Sequence, residues 1–311
     1  MKKEVFFTKP HIVCITAGIC SLLWGSAFPM LKIGYELFAI ASDDTASQIL
    51  FAGIRFTLAG ILAVILSSFT SKKILIPKKN DIAPVFILSL FQTILQYFFF
   101  YIGLANTSGV KASVIIGANV FIAILISCLV FRTEKITTKK LIGSAIGFCG
   151  IIIINITGLT EGTVSLTGEG FVLISTVAYA FSSSIMKKYS EKHNTALLSS
   201  WQFIVGGIVM TFGGLLMGGK ITYCGTKAFF VLLYLAFLSA AAYTLWSTLL
   251  QYNNVSSVAV YGFMNPMFGF ILSALILGET GEAFGIKGIA AILLVCAGII
   301  TVNKKNKNIA H

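Results

Sequence analysis

One arginine, Arg55, stands in the middle of an otherwise apolar stretch, with no acidic residue in that stretch to pair with it. Amides and aromatic residues occupy similar apolar surroundings along the chain. Gln92 and Gln96 fall one helical turn apart, as do Tyr97 and Tyr101. Trp24, Asn119, Tyr179 with Ser182 and Ser183, Tyr243, Trp246 and Asn265 complete the set. Side-chain amides donate and accept hydrogen bonds, and a guanidinium fork matches a carboxylate, so these residue types suit recognition of a small polar ligand. Two readings of Arg55 stand side by side: a cation that holds a substrate carboxylate, or a structural group bonded to carbonyls at a helix contact. Each amide, likewise, is either a ligand contact or an interhelical hydrogen bond. Bond-making chemistry finds no foothold. The three histidines, His11, His193 and His311, sit at termini or in a loop, and no pair of carboxylates lies inside an apolar stretch. Five cysteines (Cys14, Cys20, Cys128, Cys149, Cys296) are within apolar stretches and Cys224 is alone, so no metal or disulfide spacing is present. No cofactor or metal is expected, and a catalytic constellation of the kind an enzyme needs is missing.

The elements that position these residues are about ten apolar stretches. They read as 11–35, 45–68, 82–105, 110–131, 139–156, 167–188, 196–217, 228–250, 255–277 and 285–303. About 20 apolar residues in a helix cross the roughly 30 Å hydrocarbon core of a bilayer. Backbone groups in lipid must be satisfied within the segment, which makes these spans helices. At 57% hydrophobic and 11% charged, with a mean hydropathy of +0.91, the 311 residues have no room for an ordinary soluble domain. Asn106–Gly109 and Tyr252–Asn254 are joints short enough only for helical hairpins. Basic residues set orientation. Lys2, Lys3 and Lys9, then Lys72, Lys73, Lys78 and Lys79, then Arg132, Lys135, Lys139 and Lys140, then Lys187, Lys188 and Lys192, and finally Lys304, Lys305 and Lys307 fall on alternate joints and both ends. They account for 17 of the 23 basic residues and place both termini in the cytoplasm of a cell whose plasma membrane the chain crosses ten times. The net charge of +12 is thereby topological, with attraction to anionic lipid headgroups, and nucleic acid is not an expected partner. The first stretch exceeds a signal-peptide core and lacks a clean cleavage site, so it is expected to remain as a span.

Two segments repeat. IGLANTSGVKASVIIGANVFIAILISCLVFRTEKIT from Ile102 matches LLQYNNVSSVAVYGFMNPMFGFILSALILGETGEAF from Leu249. Asn106 falls on Asn253, Ala112 on Ala259, Asn119 near Asn265 and Pro266, and Glu134 near Glu279. Upstream, Arg55-Phe56 falls near Gln202-Phe203. The expected fold is an all-α integral membrane protein of ten transmembrane helices, arranged as two inverted five-helix repeats over 1–156 and 157–311. An odd number of spans per half inverts the second half, as in secondary transporters with a site near the midplane.

These residues carry a resemblance to the drug/metabolite transporter superfamily, in its ten-helix EamA-type branch. Its pieces are Trp24-Gly25-Ser26-Ala27-Phe28, Arg55-Phe56, Glu134-Lys135-Ile136-Thr137, Asn265-Pro266 and Leu277-Gly278-Glu279, in that order across nearly the whole chain. Asn119 stands where the family usually has a proline that kinks span four. The resemblance implies export or exchange of a small organic metabolite by alternating access. It also implies a cavity lined by spans 1–4 and 6–9, with spans five and ten peripheral. The residues expected at that cavity are Trp24, Arg55, Gln92, Gln96, Asn119, Tyr179, Tyr243, Trp246 and Asn265.

All eleven acidic residues lie in loops or at span ends, with Glu36 and Glu169 the deepest. Proton-coupled export of lipophilic cations calls for a buried carboxylate. Its absence favours amino acids and related neutral or zwitterionic metabolites over multidrug transport, which is the alternative within the same fold. A channel or a membrane enzyme is the alternative outside it. Lys32, near the end of span one, is expected to snorkel outward. Pro29 and Pro266 are expected to interrupt spans one and nine. Gly143, Gly147 and Gly150 form a small face for close packing, either within the bundle or at the seam of a weak dimer of an otherwise monomeric chain.

Overall fold

A computed structural model describes residues 2–107, 109–155, 165–222, 225–277 and 286–304. The proposed division at 156/157 and the residues Gly278, Glu279, Lys305 and Lys307 fall outside that set. Every apolar stretch is helical: α1 (Pro10–Leu37), α2 (Thr45–Ser71), α3 (Lys79–Ala105), α4 (109–130), α5 (Thr138–Asn155), α6 (Leu166–Tyr189), α7 (Thr195–Leu216), α8 (Thr226–Tyr252), α9 (255–277) and α10 (Ile286–Asn303). A short helix, Lys2–Phe7, precedes them. Among the described residues there is no strand. Six helices, α1–α3 and α6–α8, are long and apolar enough to cross a membrane, and shorter apolar helices run over Val114–Val130 and Ile289–Asn303. The chain is a multi-pass membrane protein.

Local sequence sets where helices begin. Pro10 opens α1, where its missing N–H is no loss. Asp44 caps α2 by accepting from Ser47 N at 3.0 Å, and Asn194 caps α7 by accepting from Ala196 N and Leu197 N at 2.9 and 3.1 Å. Pro29 does not interrupt α1, which continues helical to Leu37. In α9 the helix tightens to 3₁₀ over Val260–Phe263, immediately before Met264-Asn265-Pro266, because proline cannot donate to the turn behind it. Span four carries one irregular residue, Ala118, directly before Asn119 and without the family's proline, and its i→i+4 bonds continue there, Ala118 N donating to Val114 O at 3.2 Å and Ile122 N to Ala118 O at 3.1 Å.

Helix α2 packs most extensively on α7, and α5 on α10. Both pairs meet through glycine. A Cβ on Gly60 would stand 2.6–2.7 Å from Ile204 and Ser200, and one on Gly207 would stand 2.4–2.9 Å from Thr57 and Gly53. These contacts are reciprocal: 60, 57 and 53 correspond to 207, 204 and 200 by the same offset that carries Phe56 onto Phe203. Those two rings stack on each other, 5.2 Å apart and parallel within 1°. In the α5–α10 pair, Gly150 faces Ala291 and Val295 while Gly298 faces Gly143 and Gly147, again reciprocal. The Gly143, Gly147 and Gly150 face is therefore occupied inside the chain, Gly147 by Phe263 and Gly143 by Val302 and Gly298. Around these pairs, α1 packs on α8 and α9, and α6 packs on α3 and α4.

Candidate functional site

A cavity of about 530 Å³ lies among α1, α2, α3, α4, α6, α8 and α9. Helices α5 and α10 stay outside it. Helix α7 also contributes nothing to its wall, contrary to the expectation from the resemblance, because α7 spends its inner face on the glycine contact with α2.

Seven of the nine expected residues line the cavity: Trp24, Arg55, Gln96, Asn119, Tyr179, Tyr243 and Asn265. Gln92 does not. The stretch Ser89–Leu95 is π-helical, and each wide i→i+5 turn rotates the helix relative to a 3.6-residue period. The α3 residues that line the cavity begin at Gln96, and Gln92, one turn deeper, is 1% exposed within the packing. Next to it, Ser89 Oγ donates to Gln202 O at 2.9 Å and Thr93 Oγ1 donates to Gln202 Oε1 at 2.6 Å, which fixes the π-turn to α7. Trp246 is also behind the wall. It packs edge-on against Trp24, 5.1 Å between centroids, and supports that ring from below.

An aromatic network gives the site its rigidity. Trp24 meets Tyr243 edge-on at 5.1 Å, and Tyr243 Oη shares a 2.7 Å hydrogen bond with Tyr97 Oη. Tyr97 rests on Phe56 with centroids 4.3 Å apart, and Phe56 carries the Arg55 guanidinium 4.3 Å over its ring. Arg55 is 4% exposed, and its Nε and Nη1 meet no acceptor among the described residues. A cation–π contact contributes about 0.5–2 kcal/mol. That is less than the roughly 2.5–3.5 kcal/mol or more that insertion of a charge at membrane depth costs. The ring therefore does not account for Arg55. Trp24 Nε1 and the amide oxygens of Gln96, Asn119 and Asn265 are buried without partners as well.

The sequence spacing does not single out several lining residues. Lys32 lines the cavity, although its position near the end of α1 suggests only outward snorkelling. The signal was available: Trp24, Phe28 and Lys32 recur at four-residue intervals, with Leu31 and Tyr35 on the same face. Ser175 with Tyr179 and Ser239 with Tyr243 are equivalent pairs on α6 and α8. No Asp or Glu is among the described lining residues.

The lining positions fall in the later halves of α1 and α3 and the earlier halves of α2, α4 and α6, which together make one end of the bundle. The other end, where the basic joints meet, is tied shut. Glu134 accepts from Lys140 Nζ at 2.6 Å, from Ser256 N at 3.0 Å at the start of α9, and from Ser256 Oγ. His193 Nδ1 bonds Asp81 Oδ1 at 2.7 Å, Trp201 Nε1 donates to Leu75 O at 2.8 Å, and Lys187 Nζ donates to Gln251 O at 3.1 Å. Two of the family-like motifs acquire a physical role here. Gly25 lets Phe268 and Gly269 of α9 approach α1, and Glu134 joins the α4–α5 loop to the N-terminus of α9.

A model of the EamA-like transporter family matches residues 11–156 and again 166–304. An uncharacterized transporter of Archaeoglobus fulgidus is 26% identical over 94% of this chain and 98% of its own length. The uncharacterized transporter YvbV of Bacillus subtilis is 25% identical over 92% of this chain and 90% of its own. A Salmonella typhimurium protein named as a probable amino-acid metabolite efflux pump is 23% identical over 89% of this chain and 90% of that one. A crystal structure superposes with a TM-score of 0.74 over 95% of this chain and 97% of that chain at 13% identity, a likeness of fold.

Proposed function

The chain belongs to the EamA-like transporter family, and from that premise we propose that it is a secondary transporter exporting amino acids or related small metabolites by alternating access. The observation that carries the reading is Arg55: a buried guanidinium with unmet donors on a cavity large enough for a small metabolite. The efflux pump among its relatives supports the substrate class.

In this reading the chain crosses the plasma membrane ten times as two inverted five-helix units, 1–156 and 157–311, with both termini cytoplasmic. Three observations support it: the double match of the family, the reciprocal glycine contacts and the Phe56–Phe203 stack. A self-complementary contact is what a two-fold relation between halves produces. The basic joints and the knitted end then mark the cytoplasmic side, and the cavity belongs to a state open toward the outside. Opening inward requires release of Glu134 and its neighbours. Trp24, Arg55, Gln96, Asn119, Tyr179, Tyr243 and Asn265 contact the substrate, while Gln92 and Trp246 back the wall.

The test is efflux of a labelled amino-acid mixture from liposomes holding the purified chain. Efflux above protein-free liposomes, abolished or strongly weakened in Arg55→Lys at unchanged thermal stability, is the expected result. Arg55→Lys keeps the charge and removes the fork. Equal efflux with and without protein, or a stability loss with unchanged flux per folded molecule, refutes the reading.

A further inference from the structure

We propose that the cavity recognises its substrate by the carboxylate and does not require an amino group, so that organic monocarboxylates such as 2-oxo acids are carried alongside amino acids. The inference rests on the transporter reading above and adds a substrate class to it. Its basis is the imbalance of the cavity wall. Fixed donors without acceptors, the Trp24 indole N–H and Arg55 Nε and Nη1, lie on side chains that line the cavity. Neither group can reverse its role, since indole N–H and guanidinium only donate. Lys32 adds a second cationic side chain to the same wall. Arg55 also stands within electrostatic reach of Tyr35, Tyr97 and Tyr243, and of the Tyr97–Tyr243 pair, which shares one hydrogen bond, one hydroxyl keeps a proton to turn toward an anion.

An ammonium group finds much less. No carboxylate is among the described residues that line the cavity. What remains for it is the amide oxygens of Gln96, Asn119 and Asn265, together with ring faces. Hydrogen bonds to an ionised group are about twice as strong as neutral ones, and Arg55 supplies them at the carboxylate end in bidentate geometry. At the amine end only one partner of each bond is ionised, and the positive field of Arg55 opposes the charge. Removing the carboxylate leaves Arg55 and Trp24 unmet, whereas the amides left by a missing amine can turn their N–H₂ toward the cavity in place of their oxygens. The two classes also differ in net charge: the amino acid is neutral and the 2-oxo acid carries one negative charge. An inside-negative membrane drives a monoanion outward by about 50-fold for each 100 mV, so export of such acids needs no coupling ion and no buried carboxylate to move a proton.

The experiment compares three probes of one carbon skeleton, leucine, 4-methyl-2-oxopentanoate and isoamylamine, and repeats the comparison with phenylalanine, phenylpyruvate and phenethylamine. Efflux is followed from liposomes containing the full chain, with the membrane potential clamped by potassium and valinomycin and protein-free liposomes subtracted. In at least one series the acid and the amino acid should leave at rates within a few-fold of each other, the amine should not, and only the acid should respond to voltage. Trp24→Phe, which keeps a ring and removes one donor, should raise the half-saturation concentration of the acid about 10-fold. If amino acids are carried and the acids are not, the inference falls while the transporter reading stands. If no probe is carried, both fall. Transport of the amine, or an unchanged half-saturation in monodisperse Trp24→Phe, overturns the carboxylate site.

Discussion

Gly60→Ala on α2 should loosen the bundle at its centre, and the size of the effect follows from the contact geometry. The new methyl would lie 2.6 Å from Ile204 Cγ1 and 2.7 Å from both Ile204 N and Ser200 O. The isoleucine tip can turn away, but the two backbone atoms cannot. Ordinary contact begins near 3.4 Å, so α2 and α7 must part by about 0.7 Å, an overpacking that costs about 1–3 kcal/mol. Alanine recovers about 0.5–1 kcal/mol of helix propensity, which leaves a net loss of up to about 2.5 kcal/mol. Gly207→Ala meets the reciprocal contact, 2.4 Å from Thr57 N, and should cost as much. Because one displacement relieves both methyls, the double variant should lose distinctly less than the two single losses added together. Gly213→Ala is the control, since a methyl there meets nothing within 4 Å. Thermal unfolding followed by tryptophan fluorescence in detergent reads all four. A melting temperature for Gly60→Ala equal to that of Gly213→Ala, or losses that add fully in the double variant, would contradict the shared crossing.

Other perturbations probe the ends and wall of the bundle. Burial pushes the Glu134 carboxyl up, but hydrogen bonds from Lys140 and Ser256 outweigh it and hold the group below its ordinary 4.5. A carboxyl depressed on folding stabilises above its unfolded pKa and loses that contribution as pH falls through its folded one. Parent and Glu134→Gln should thus differ in melting temperature near neutrality and converge below about pH 4.5; a gap that persists in acid argues against this assignment. Gln96→Leu should slow transport several-fold at sub-saturating substrate, while Gln92→Leu should change stability more than half-saturation; the reverse pattern would mean that Gln92 and not Gln96 meets the substrate. In a background without the six native cysteines, a cysteine at Asp44 should react with an impermeant maleimide in intact cells and one at Lys78 only after lysis; labelling of the latter from outside defeats the ten-crossing orientation.

Much of this architecture is legible from hydropathy alone, because lipid leaves a long apolar run no option but helix. The observed helices start or end within a few residues of the apolar stretches; α3 begins at Lys79 rather than 82 because Lys78 N–H donates to Asp81 and closes a capping turn. The repeat announces itself through Asn106 and Asn253, and its contacts through Phe56 and Phe203. What the residue spacing conceals is depth. A helical period puts Gln92 beside Gln96, but the cavity wall on α3 begins only at Gln96. Lys32 shows the same from the other side: its spacing from Trp24 and Phe28 gives the face, and its place near the end of α1 does not tell that the cavity reaches that far. Asn119 departs from a family proline, and the helix there keeps its i→i+4 hydrogen bonds on either side, with only Ala118 irregular.

The contact of Phe56 with Phe203 has a kinetic consequence. The residue before each ring is its counterpart in the other half, Arg55 in one and Gln202 in the other, and only Arg55 faces the cavity. A carrier whose halves were identical would present the same affinity to both sides of the membrane once those halves exchanged conformations. In the proposed alternating-access cycle the charge belongs to one half, so an exchange of the halves would move a cation relative to the open vestibule instead of replacing it with its equal. The gradient still fixes the final distribution of substrate, since no geometry can alter an equilibrium. Half-saturation at the inner face and at the outer face, however, need not agree, and their ratio measures how far the duplication has drifted from symmetry.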